Sequence, residues 1–193
     1  MTMIGVSFEA VVAAAADGDE QAFAILWREL QPALLRYLRV VAPGASEDLA
    51  SEAWLEVARG LGRFEGDENG FRSWLFTVAR HRMVDWRRRE ARHPSTPVPP
   101  EAVPERPGPT DAADPVLEAI STRAALALVA ELPPDQAEVV TLRVVAGLDV
   151  SEVAAVVGKR AGAVRVLSHR GLRRLAELLG DEVPRPRGKG VTR

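Results

Sequence analysis

The chain has 193 residues and a formal net charge of −2, with 47% apolar and 27% charged side chains, enough apolar material for one or two small helical or mixed cores. It has no cysteine, which excludes disulfides, thiolate metal sites and thiol catalysis. No apolar run approaches the ~20 residues of a bilayer span, and MTMIGVSFEAVVAAAADGDE lacks the basic start of a signal peptide, so the expectation is a cytoplasmic protein without membrane insertion.

Helical patterning begins at once. Candidate helices cover 7–17 and 19–41, with Gly18-Asp19 as a stop followed by an N-cap and Pro32 as a break point or new first turn. Ser46 is placed to cap a helix over 46–61, whose Leu49, Ala53, Trp54, Val57 and Leu61 recur at helical spacing. GRFEGDENG, residues 62–70, reads as a polar Gly-rich loop leading into a helix over 70–90.

That last helix, FRSWLFTVARHRMVDWRRR, interleaves aromatic rings with arginines. Its aromatics cannot all face one way, and Trp74 or Phe76 is expected to pack in the core. The arginines have only Asp85 and Glu90 as local acidic partners. Flat rings in a basic groove are how proteins hold single-stranded nucleic acid.

Residues 93–115, HPSTPVPPEAVPERPGPTDAADP, carry prolines without apolar periodicity and read as a linker. All ten aromatic residues precede residue 87, so the halves are expected to have differently built cores. The expected architecture is all-α: a helical domain at 5–91, a flexible Pro-rich acidic linker at 92–113, a second helical domain at 114–180 and a disordered basic tail at 181–193.

The second domain starts at Asp114-Pro115, a cap followed by a proline at the first helical position, and its first helix runs to Leu132. A helix over 134–146 closes at Gly147. Asp149 and Glu152 form a capping-box pattern for VSEVAAVV, which stops at Gly158. Ala161 then opens a helix to about Leu179, with Val164, Leu167, Leu175 and Leu178 as its apolar stripe and Gly171 permitting close packing.

Two helices joined by a tight turn fit either a charged helical hairpin or a helix-turn-helix that sets its second helix in the major groove. From 159 to 176 there is no acidic residue. A merely solvated helix usually mixes signs to gain i,i+4 pairs, so the pattern favours DNA. Net charge is segregated to match: residues 71–92 carry seven arginines against two acids, and residues 158–193 ten basic residues against three acids. A polyanion meets two separate basic footprints in an otherwise acidic chain.

Catalytic constellations are sparse. His81 and Asp85 share a helical face without a second converging pair, and Glu65, Asp67 and Glu68 lack EF-hand spacing. No catalytic, metal or cofactor site is expected, and the chain is not expected to be an enzyme.

EDLASEAWLEVARGLGRF, FRSWLFTVARHRMVDWRRR and LPPDQAEVVTLRVVAGLDVSEVAAVVGKRAGAVRVLSHRGLRRL, in this order, resemble bacterial RNA polymerase sigma factors of the sigma-70 family, extracytoplasmic-function (ECF) subfamily. The resemblance implies region 2-like and region 4-like domains, with core RNA polymerase (its β′ clamp and β subunits) and promoter DNA, duplex and single-stranded, as partners. It implies polymerase docking by Asp48, Leu49, Ser51 and Glu52. It implies −10 element binding by Arg63, Phe64, Asn69, Arg80, His81, Arg87 and Arg88. Binding of the −35 element would fall to Lys159, Arg160, Ala161, Arg165, His169, Arg170 and Arg173. The group commonly has an anti-sigma factor, an implied further partner. Ser51 stands where Gln is usual, His81 where Asn is usual, and Arg160 where Ser or Thr caps the reading helix. The linker, reaching ~80 Å at full extension, can span elements about 17 base pairs apart, roughly 58 Å. The alternative is a stand-alone helix-turn-helix transcription regulator with an N-terminal sensor or dimerisation bundle.

Overall fold

A computed structural model describes residues 7–92 and 115–182, all of their regular structure helical. Ser7 caps α1 (Phe8–Ala16), and Asp19 caps α2 (Glu20–Val41) by accepting the N–H groups of Gln21 and Ala22. Between them Gly18 turns the chain with φ +95°, a conformation that favours glycine.

Pro32 does not break α2. Leu30, Ala33, Leu34, Tyr37 and Leu38 are all buried on the opposite side, so packing holds the helix through it. Pro32 itself is exposed, as is Arg28 one turn back.

The chain reverses through a 3-10 turn at Pro43–Ala45 into α3 (Ser46–Gly60). Ser46 is the first helical residue and not the expected side-chain cap; its buried hydroxyl donates to the Glu47 carboxylate at 2.6 Å. A second 3-10 turn at Leu61–Arg63 shortens the predicted loop, and α4 (Glu68–Arg92) starts within it. Asp67 makes that early start by accepting the Gly70 N–H at 2.8 Å.

The second half contains α5 (Pro115–Ala130), α6 (Pro134–Val144), α7 (Val150–Val157) and α8 (Ala161–Glu182). α5 ends two residues before the expected Leu132. The capping box at Asp149 and Glu152 forms as read from sequence, and Gly158 closes α7 at φ +65°. α8 extends past Leu179 through Asp181 and Glu182, so helix enters the span expected as tail. The Asp114 cap, His93, nearly all of the linker at 92–113 and residues 183–193 of the tail lie outside the described residues.

One apolar cluster runs through both halves: Tyr37, Leu38, Phe76 and Met83 join it from the first, Val139, Leu142, Val153 and Val164 from the second. α6 packs against α2, and α7 against α4. The expectation of two separately built cores is corrected here. The aromatic residues stay in the first half, yet the second half completes their enclosure.

Candidate nucleic-acid interface

Three surfaces collect the residues singled out in the sequence. The first is the outer face of α3. Asp48 and Ser51 are exposed and Glu52 is half-buried, at spacings that place them on one face. Leu49 is 1% exposed, so in this arrangement it packs the core and presents nothing to a partner. Leu55, 57% exposed, adds an apolar contact point beside Ser51 and Glu52. The helical stripe did not reveal it, because an isolated outward leucine leaves no periodic signal. Ahead of this face, the Ser46 hydroxyl holds the Glu47 carboxyl below its usual pKa, helped by the Arg39 guanidinium at 3.1 Å.

The second surface surrounds the 3-10 turn before α4. Phe64 stacks on Trp74 with ring centroids 5.3 Å apart and planes 15° from parallel, while its edge meets Phe71. Gly60 permits the neighbouring approach: a Cβ there would lie 2.8 Å from Trp74 Cζ2. Glu56, Arg59, Gly60, Arg63, Phe64, Glu65 and Trp74 line an open pocket of about 580 Å³. Aromatic walls with arginines at the rim can take a flat ring and its phosphate together. Arg59 belongs to this pocket and was missed in the sequence, where it reads as one more solvated helix residue. Asn69 is exposed one turn into the site.

Along α4 the aromatic–arginine interleaving resolves into two roles. Phe71 and Phe76 are fully buried, whereas Trp74 and Trp86 are half-buried. The arginines find acids that sequence proximity could not show. Arg82 pairs with Glu56 of α3, and Arg80 with Glu138 of α6 at 2.8 Å. Arg72 pairs with Glu68 and Arg88 with Asp85 within the helix. Arg87 donates to the Val41 carbonyl oxygen. The four candidate residues here therefore divide: Arg80 and Arg87, seven apart, are engaged inside the fold, while His81 and Arg88, also seven apart, lie on an exposed face.

The third surface is α8. Val164 is buried, and Gly171 lies against α6 where a Cβ would meet Val140 Cγ2 at 2.6 Å. That contact fixes the rotation of the helix. Arg165, His169 and Arg173, at intervals of four, and the adjacent Arg170 are exposed. Arg173 is also paired with Glu177 at 3.0 Å. At the turn, Lys159 reaches Asp135 at 3.0 Å, Arg160 is exposed and Ala161 is half-buried. Arg160 enters the helix through its backbone: its carbonyl accepts the Val164 N–H. Opposite, the Asp149 carboxyl lies below its usual range because the Glu152 N–H, and then the Ser151 hydroxyl, donate to it.

Among the described residues no helix is long and apolar enough to cross a membrane. The chain matches Sigma-70 region 2 over residues 26–93 and Sigma-70, region 4 over residues 122–175. It is 39% identical to the ECF RNA polymerase sigma factor ShbA of Streptomyces griseus, over 92% of this chain and 95% of that protein. It is 37% identical to the ECF RNA polymerase sigma factor SigD of Mycobacterium tuberculosis, over 92% of this chain and 86% of that one. The sigma factor RpoE of Bartonella quintana, solved with the anti-sigma factor NepR, has a similar fold: TM-score 0.59 at 24% identity, covering 81% of this chain and 97% of that one.

Proposed function

This chain belongs to the extracytoplasmic-function group of the sigma-70 family, RNA polymerase sigma factors that direct the enzyme to promoters, and on that premise we propose how its three surfaces divide the work. The observation that carries the proposal is the match to both sigma regions in order along one chain. A stand-alone helix-turn-helix regulator accounts only for the second.

The α3 face of Asp48, Ser51, Glu52 and Leu55 docks on the β′ clamp, with Leu49 holding the helix from beneath. Arg63, Phe64, Asn69 and the Trp74-walled pocket hold a base of the melted −10 element, and His81, Arg88, Arg80 and Arg87 follow the adjoining strand along α4. Stacking is tolerant of base identity and worth ~1–3 kcal/mol per base, which favours capture of strand once it opens. α8 enters the duplex major groove at the −35 element, with Arg165, His169, Arg170 and Arg173 toward the DNA and Lys159, Arg160 and Ala161 at its entry. The functional units are 5–91 and 114–180, tied by the acidic linker. Catalysis resides in the polymerase, the chain acts in the cytoplasm, and an anti-sigma factor is a further partner.

The test is transcription with purified core polymerase and this protein, mapping the transcript 5′ ends. Defined start sites that core alone does not give are the expected result. Strong promoter binding by the isolated chain, with no association with core, would refute the reading.

A further inference from the structure

We infer that the packing of α6 and α7 onto α2 and α4 is a closed resting arrangement latched by Glu138, which opens when polymerase binds; the inference rests on the sigma-factor reading above.

Glu138 lies on α6 between Ala137, Val139 and Val140, all buried, and is itself only 7% exposed. Its carboxylate accepts from Arg80 Nε at 2.8 Å and from the Tyr37 hydroxyl at 3.2 Å. Tyr37 is fully buried, and burial followed by the Glu138 charge raises its pKa well above the usual value, so it stays a neutral donor. Around this polar centre, Tyr37 packs edge-on to Phe76, and the shared apolar cluster extends to Val139, Leu142 and Val153.

Such a contact suits a reversible switch. Burying the two charges costs desolvation that their attraction only partly offsets, so the net stabilisation is modest. Removing one partner strands the other. Separation returns both to water, and α6 exposes a face with one acid in it.

The closed form cannot be the working form. Promoter elements ~58 Å apart cannot both be held by surfaces joined through the Arg80–Glu138 pair. A linker reaching ~80 Å at full extension permits separation. Closure also occupies Arg80, one of the proposed −10 contacts, while Asp48 and Ser51 on α3 remain exposed. Polymerase can therefore meet the closed chain at α3 and draw it open by its greater affinity for the separated state.

The chain has no cysteine, so Glu29→Cys and Ala176→Cys, both at exposed positions, can carry a donor and an acceptor dye. Energy transfer should be higher in the free chain than with core polymerase. Glu138→Arg and Arg80→Glu should each lower it in the free chain, and the two together should restore it. Unchanged helicity by circular dichroism separates opening from unfolding. Glu138→Arg should bind core polymerase about tenfold more tightly, since a larger fraction is competent. Transfer that is insensitive to both reversals, or already low in the free wild type, overturns the latch. Lower transfer without tighter core binding overturns its role as a brake. Loss of core binding in every variant and the wild type would refute the sigma-factor reading, with the energy-transfer result still deciding the latch.

Discussion

Gly171 of α8 passes Val140 of α6 so closely that a Cβ on the glycine would lie 2.6 Å from Val140 Cγ2. Val140 is 2% exposed and β-branched, with no freedom to retreat. In an open helix interior Gly→Ala stabilises by roughly 0.5–1 kcal/mol. Here overpacking reverses the sign: Gly171→Ala should destabilise by about 1–3 kcal/mol. Gly180, on the same helix with nothing within 4 Å of a Cβ, is the control, and its change to Ala should be neutral or stabilising. Thermal denaturation of the two variants checks the contrast.

Adjacent positions on α3 should separate docking from folding. Asp48→Arg reverses charge on an exposed face; the fold should persist and co-purification with core polymerase should be lost. Leu49→Ala removes a side chain 1% exposed and should cost about 2–5 kcal/mol of stability. Far-UV circular dichroism melts alongside core pull-down distinguish them. Normal co-purification of Asp48→Arg would remove this face from docking.

The Phe64–Trp74 stack predicts where promoter opening fails. Phe64→Ala removes one wall of the pocket and should weaken binding of single-stranded −10 DNA by about 1–3 kcal/mol in the holoenzyme. A template with a pre-melted bubble should restore much of the transcription lost on duplex. Equal defects on both templates would mean that the loop does not assist opening.

Arg165→Ala should weaken holoenzyme binding to the upstream element by ~1–3 kcal/mol if the side chain reads a base. The loss would then be confined to the cognate sequence. A phosphate contact would instead lower affinity across sequences and reduce the salt dependence by about one ion. Unchanged promoter activity would remove Arg165 from the interface.

Local rules were legible without a fold. Asp19, the Asp149–Glu152 box and Gly158 act through neighbours one to four residues away, so their spacing carries the whole mechanism. The acid-free run of α8 likewise needs only one helix to become a basic face, and Gly171 announced a close approach though not its partner. Ser46 failed as a predicted cap because the preceding 3-10 turn delivers the chain already helical at that residue. Pro32 failed as a break because a buried face outweighs one missing donor.

What the sequence by itself determined is the helices, their caps and the two basic footprints, because those depend on near neighbours and on charge that stays with its segment. Only the tertiary structure decided which arginines of α4 face solvent, that Leu49 is a core residue, and that Glu138 closes one half upon the other. Those outcomes join Glu56 to Arg82 and Glu138 to Arg80 across stretches of chain too long for any local pattern to register.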